Sequence, residues 1–165
     1  MNDLEILGVV EKQEEAFVFE QFTHEDAWKL GNIIVEVARR RKFSPAISIR
    51  LMSGYTVFQY GFDNTGLDHE NWMLRKLASC EVKMMSTMRL DYILKTCELD
   101  MRDAWFMDPM EYSTCPGAFP IKVKGVGMIG TILVSGISVL TDHDLIAEAL
   151  NEYFGTEVER IVEDI

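Results

Sequence analysis

Ile47, Ile49 and Leu51 alternate with Ser48, Arg50 and Met52, the run breaks at Ser53-Gly54, and Tyr55 to Tyr60 resumes it. Alternation of this kind is how a half-buried strand reads, and a tight turn between two such runs makes them a hairpin. A second pair of strand-like runs, Phe119 to Lys124 and Gly127 to Ser135, flanks Gly125-Val126. Pro120 has no N–H to give a ladder, so the first of these strands is expected to be an edge or to start there. Two hairpins with helix-patterned sequence between them predict an α/β (α+β) fold: an antiparallel sheet with helices on both faces. One domain over 1–165 is expected.

The helical segments fall around these hairpins. Residues 1–16 read as an N-terminal helix, with Asp3 as its cap and Leu4, Leu7 and Val10 on one side; Phe17-Val18-Phe19 then reads as a short strand. Thr23 and Asp26 form a capping pair for a helix whose apolar stripe is Ala27, Leu30, Ile34 and Val37. That helix runs into Arg39-Arg40-Arg41-Lys42 and stops at Ser44-Pro45. Asp68 is expected to cap a helix to about Met84, with Met73, Leu77 and Cys80 inward, and another runs from about Met88 to Cys97. Glu98 to Gly117 is the least regular stretch, with a short helical turn at Asp108-Pro109. Thr141 and Asp144 open the closing helix, which ends at Phe154 with Gly155 beyond it. Residues 156–165 form an amphipathic tail, Val158, Ile161, Val162 and Ile165, that packs on the domain or on another subunit.

Charge narrows the function classes. The 165 residues carry 16 basic and 27 acidic side chains, a net of −11, which disfavours nucleic acid and anionic membrane surfaces as partners. The acidity sits at the ends: residues 1–26 hold eight acids and one lysine, and residues 142–165 hold eight acids and one arginine. The remaining residues carry 14 bases and 11 acids, a net of +3, so a small anionic ligand in the centre stays compatible with the total. No apolar run approaches the ~18 residues of a membrane span, and the acidic start lacks the basic region of a signal peptide. Cys80, Cys97 and Cys115 show no C-x-x-C spacing, so reduced thiols in a cytoplasmic protein are expected, with no metal site. The ten methionines fit core or oligomer packing.

Several motifs fail their context. Gly125-x-Gly127-x-x-Gly130 spells a dinucleotide fingerprint, but the strand-like Thr131-Ile132-Leu133-Val134 follows where a helix is required. The glycines suit a hairpin turn instead. His24, His69 and His143 each sit in the first turn of a predicted helix, with no i, i+4 pair, and read as surface or capping residues. Asp142, Asp144 and Glu148 fit a solvated helix face, and Cys115 lies in a loop with no placed base. One constellation is less plain. Arg50 on its strand, Trp72, Arg75 and Lys76 on the following helix, and Phe119 and Lys122 on the later hairpin set basic groups beside aromatics. That composition suits a flat anionic ligand or an interface, and equally a set of surface ion pairs.

The order of short motifs carries a resemblance. Asp26-Ala27-x-x-Leu30-Gly31, Ile49-Arg50, Asn71-Trp72-x-x-Arg75-Lys76 and Gly117-Ala118-Phe119-Pro120-Ile121 are followed by Gly127-x-Ile129-Gly130-Thr131, Val134-Ser135-Gly136 and Asp142-His143-x-Leu145-Ile146. Over about Phe22 to Tyr153 the chain resembles the uncharacterised branch of the haem-degrading-domain family, which is similar to the GlcG and HbpS proteins and to the C-terminal domain of PduO. The resemblance implies a profilin-like fold of about five antiparallel strands, with residues 22–154 as the family core. It also implies a symmetric homodimer, often assembled into rings of dimers, and haem binding in some relatives. Relatives usually carry His-Gly-Gly before the Phe-Pro-Ile strand, where this chain has Cys115-Pro116-Gly117. The usual axial-ligand candidate is therefore absent, which counts against haem; Cys115 is the candidate in its place, since a thiolate can ligate haem iron.

No complete catalytic constellation stands in the sequence. The expected function is a non-enzymatic, oligomeric, cytoplasmic module that binds a small ligand or a partner, with Arg50, Trp72, Arg75, Lys76, Cys115, Phe119 and His143 as its binding residues. Two alternatives stay open. One is a tetrapyrrole binder, with Arg50, Arg75 or Lys76 on the propionates and Cys115 or His143 near the iron. The other is a small-molecule enzyme using Asp142 and His143 as an acid–base pair.

Overall fold

The computed structural model describes residues 1–163. Asn2, rather than Asp3, caps the first helix, α1 (Asp3–Ala16): its Oδ1 accepts the Glu5 N–H at 2.9 Å, and the Glu5 carboxylate accepts the Asn2 N–H at 2.7 Å. Asp3 instead lies inside the first turn, where its charge suits the helix dipole. β1 (Val18–Phe19) leads to α2 (His24–Arg40), which starts at the expected Thr23–Asp26 pair. The first hairpin is β2 (Ala46–Leu51) and β3 (Thr56–Gly61).

Gly66, not Asp68, precedes α3 (Leu67–Lys83), and His69 closes that end by accepting the Gly66 N–H on Nδ1 at 3.1 Å. α4 (Thr87–Cys97), capped by Ser86, and a single-turn α5 (Met101–Trp105) follow. Asp108 begins a turn there rather than a helix. The second hairpin is β4 (Ala118–Val123) and β5 (Gly127–Ser135), with Gly125 in its turn. α6 (Val139–Phe154), capped by Ser138, starts two residues before the predicted opening at Thr141 and ends at Gly155 in the left-handed region as expected.

The strands form one sheet in the order β1-β4-β5-β2-β3. Both hairpins and the central β2–β5 pairing are antiparallel, as predicted. β1 departs from that pattern: it pairs in parallel with Lys122 and Val123 of β4. A two-residue strand reached from a helix has no hairpin to set its direction. β4 is therefore interior where β1 covers it, and Pro120 lies beyond β1's reach.

Helices cover both faces. Ile47, Ile49, Phe119, Ile121, Ile132 and Val134 point to one side and pack against α2 and α6. The alternate residues Ala46, Ala118 and Leu133 meet Met73 and Cys80 of α3 on the other. α1 lies against α4 in an outer layer, where Val9, Val10, Met88 and Tyr92 form a separate apolar cluster. The tail from Thr156 is not helical. It returns along α6, held by Asn151 to the Val158 backbone, by Gln13 Nε2 to the Glu159 carbonyl at 2.8 Å, and by Arg160 to Glu148 at 2.7 Å. Ile161 is buried among the α1 and α4 side chains, Val162 is exposed, and Glu163 reaches the Ser138 hydroxyl at 2.6 Å. Ile165 lies outside the described residues. No helix among them is long and apolar enough to cross a membrane.

Candidate functional site

Lys76 projects from the inward face of α3 and is only 1% exposed. Its Nζ donates to Asp142 Oδ2 at 3.2 Å and to the Val134 carbonyl at 3.0 Å. Asp142 lies in the first turn of α6, and its carboxylate also accepts the Ile137 N–H at 2.9 Å and the Gly136 N–H at 3.4 Å. One ion pair thus joins α3 to the β5–α6 connection. Burial pushes the Asp142 carboxyl above its ordinary range, against the opposing effects of Lys76 and the two backbone donors. The approach is close enough to require Gly117: at its φ of 127° a side chain is strained, and a Cβ there would collide with the Val134 carbonyl and come 2.7 Å from Nζ.

The pair forms part of the wall of a cleft of about 220 Å³, shared with His69, Trp72, Cys115 and the 135–139 segment. His69 accepts the Gly66 N–H on Nδ1, so a neutral ring carries its proton on Nε2. That nitrogen lies against Gly136, where a Cβ would meet it at 3.0 Å. Trp72 is partly exposed and carries the Arg75 guanidinium 4.2 Å from its ring centroid. Arg75 is further held by the Pro109 carbonyl at 3.1 Å. The Cys115 thiol is pushed up chiefly by burial, an effect that the Lys76 charge partly offsets, which keeps it a thiol near neutral pH.

The structure therefore brings Trp72, Lys76, Cys115 and Asp142 to one cleft, with Arg75 outside the lining but stacked on Trp72, and leaves out the others. Arg50 points to the α3 side of the sheet but is buried against Glu70, whose carboxylate oxygens lie at 2.7 and 2.8 Å, with Ser48 and Gln59 completing its partners. Phe119 points to the opposite face, where it packs edge-on to Phe17. His143, expected near the surface, is buried. Its Nε2 lies 2.8 Å from Gln13 Oε1, and its Nδ1 has no partner among the described residues. Burial holds its pKa down to about 4.

Asp142 and His143 share no hydrogen bond: one is tied to Lys76, the other to Gln13. The acid–base pair expected from their adjacency is not assembled. Two of the basic groups expected to meet an anion are already matched, Arg50 by Glu70 and Lys76 by Asp142, while Arg75 meets the Pro109 carbonyl and the Trp72 ring. His69 and Ser138 were missed as cleft residues. The i, i+3, i+7 spacing of His69, Trp72 and Lys76 on one helix was the signal that groups the first with the other two.

Comparison with known proteins places the chain. The model of one family, described as haem degrading protein HbpS-like, matches residues 22–151. A UPF0303 protein of Streptomyces coelicolor is 33% identical over 146 residues, covering 88% of this chain and 92% of that protein. One from Serratia proteamaculans is 34% identical over 155 residues, covering 94% and 96%. Among solved structures, the Ybr137w protein superposes with a TM-score of 0.83 at 22% identity, over 92% of this chain and 89% of its own. A PduOC:heme complex gives 0.67 at 18%, over 84% and 99%. HbpS gives 0.61 at 20%, over 80% and 89%. At these identities the solved structures establish a shared fold, the profilin-like one.

Proposed function

The chain belongs to the haem degrading protein HbpS-like family, and from that premise we propose that it is a non-enzymatic module that holds a small ligand in the cleft between α3 and the start of α6. The observation that carries this reading is the buried Lys76–Asp142 pair set beside an exposed aromatic wall at Trp72. A buried charge pair is costly unless well partnered, so its place in the wall of a cleft is a reason to look for a ligand there. With Lys76 buried and neutralised by Asp142, the ligand is met by neutral donors rather than by free positive charge. Native mass spectrometry of freshly purified protein tests it. A small molecule released on denaturation, and missing from Trp72→Ala that keeps its circular dichroism, supports the reading. Identical small-molecule content in both removes this cleft as the site.

Haem is the second reading, favoured by the family and by a similar fold solved as a haem complex. The cleft's 220 Å³ equals roughly seven waters at their liquid volume. A tetrapyrrole therefore has to lie across the rim, with Arg75 placed for a propionate and Cys115 as the nearest sulfur. Titration with haemin decides: a Soret shift lost in Cys115→Ala supports that assignment, and an unchanged spectrum removes Cys115 as the ligand.

We also propose that the module is a homodimer, or a ring of dimers, in the cytoplasm. Trp28 and Tyr55 are exposed near the edge strand β3, an apolar surface suited to a partner, and three free thiols suit a reducing compartment. Light scattering that returns a particle near 19 kDa at micromolar concentration would refute the oligomer.

A further inference from the structure

We propose that the corner between α4 and α5 docks a cationic amphipathic segment of another protein. This surface shares no lining residue with the cleft and does not depend on it. Leu94, Leu99, Met101 and Pro109 supply the apolar lining of a second pocket there, of about 440 Å³. That is room on the order of fifteen waters at their liquid volume, enough for a large apolar side chain. Phe106 stands at its edge: the Phe106 N–H donates to the carbonyl of Arg102, a lining residue, at 3.0 Å. The Phe106 residue is 94% exposed and Met110 is 82% exposed. Phe106 also holds a φ of 57°, a conformation that a bulky side chain resists, and a ring so exposed gains little packing within the chain to offset it. An apolar patch beside a concave apolar pocket with a polar rim has the anatomy of a docking site. The pocket is also preformed, since Arg75 holds the Pro109 carbonyl at 3.1 Å and Met107 is buried.

Charge selects the partner. Residues 98–111 carry five acids and one arginine, a net of −4, and all five acids are exposed. The nearby cations are engaged: Arg102 with Asp108 at 3.3 Å, Lys95 with Asp91 at 2.9 Å, and Lys83 over the Trp105 ring at 4.3 Å. Glu98 and Asp100, both part of the pocket's lining, are left to meet an incoming cation. A second copy of this chain brings the same net of −4 to the contact, so like charge disfavours it. A segment with leucine-like residues on one face and lysine or arginine on the other suits both halves of the site. Its apolar anchor enters the pocket beside Phe106 and Met110, and its cations meet the acidic rim.

Fluorescence anisotropy of a labelled amphipathic peptide of leucine and lysine, titrated with the full chain at physiological salt, tests the proposal. A second peptide of the same charge, with serine in place of leucine, controls for general attraction to an acidic protein. The expected result is saturable binding of the leucine peptide, weaker by at least about tenfold in Phe106→Ser and in Glu98→Lys. Both positions are exposed, so circular dichroism should show the two variants folded. Glu25→Lys makes the same charge change at an exposed site on α2 and should leave the affinity within about twofold. Equal binding of the serine peptide, equal loss in Glu25→Lys, or full affinity in Phe106→Ser overturns the proposal, as does no binding at all. A particle mass that falls in Phe106→Ser by light scattering, with no peptide bound by the unaltered chain, gives the corner to a second copy and overturns it too.

Discussion

His143 Nε2 lies 2.8 Å from Gln13 Oε1, and through that contact the buried face of α6 is fastened to α1. The same Gln13 amide donates to the Glu159 carbonyl, so one side chain joins the first helix, the last helix and the tail. With its amide hydrogen engaged by the tail, Gln13 offers an acceptor to the imidazole. The ring therefore carries its proton on Nε2 and leaves Nδ1 bare.

This geometry makes stability depend on pH in a known direction. His143 titrates at about 4 when folded and near 6.5 when unfolded, so between these values the unfolded chain binds more protons. Stability contributed by the neutral ring is full above pH 6.5 and is lost as pH falls towards 4. The loss is on the order of 3 kcal/mol. About 2 kcal/mol of it should appear between urea denaturation curves at pH 7 and pH 5, and His143→Gln should flatten the difference between those two curves.

Breaking the Lys76–Asp142 pair from one side strands a buried charge. Lys76→Met alone, or Asp142→Leu alone, is expected to cost roughly 3–5 kcal/mol. The double variant should recover most of that loss. Equal losses in the single and double variants, measured by denaturant unfolding, would show that the pair is not what the single variants disturb.

Gly117→Ala places a methyl group against the Val134 carbonyl and Lys76 Nζ at a φ of 127°. A loss of about 2–3 kcal/mol is expected from the strained backbone and the collision together. Gly125→Ala, at a φ of 76° with open space around it, should cost less. Thermal melts of the two variants side by side check the ranking.

The three thiols should react in a fixed order. Cys97 is exposed, Cys115 is partly buried with its thiol pushed up, and Cys80 is fully buried and pushed up further. A chromogenic disulfide at pH 7.5 should consume Cys97 first, Cys115 slowly, and Cys80 only on unfolding. Asp142→Asn removes a negative charge that disfavours the Cys115 thiolate, so it should speed the second phase.

The hairpins and the helices between them were legible because each declares itself within a few residues. Ile47 and Ile49 announce a strand, and Thr23 with Asp26 announces a helix start. What escaped was set by long-range contacts. Nothing local tells whether Phe119 faces α3 or α6, since strand parity relative to another strand is fixed only by pairing; the ladder puts Phe119 opposite Ile132 and so on the far side from Lys76. Local reading likewise missed that His143 is buried, because α1, distant in sequence, supplies the cover. Trp72 and Lys76 were legible together, but the neutralising partners of Lys76 and Arg50, Asp142 and Glu70, were not, because each pair spans 20 or more positions.

The tail returning along α6 to reach the α1 layer has a consequence for how the molecule responds to its medium. Residues 1–26 and 142–165 each carry a net of −7, and the fold lays these like-charged ends against one another. Arg40, Arg41, Arg89 and Arg160 are among the cations that offset the repulsion at close range. Beyond those contacts the ends repel over distances comparable to the Debye length, which is ~30 Å in dilute buffer and ~8 Å at physiological ionic strength. Moderate salt therefore tightens the outer layer of this protein. Desalting is expected to loosen it first at the two chain ends, which amide hydrogen exchange at low and at physiological salt would show.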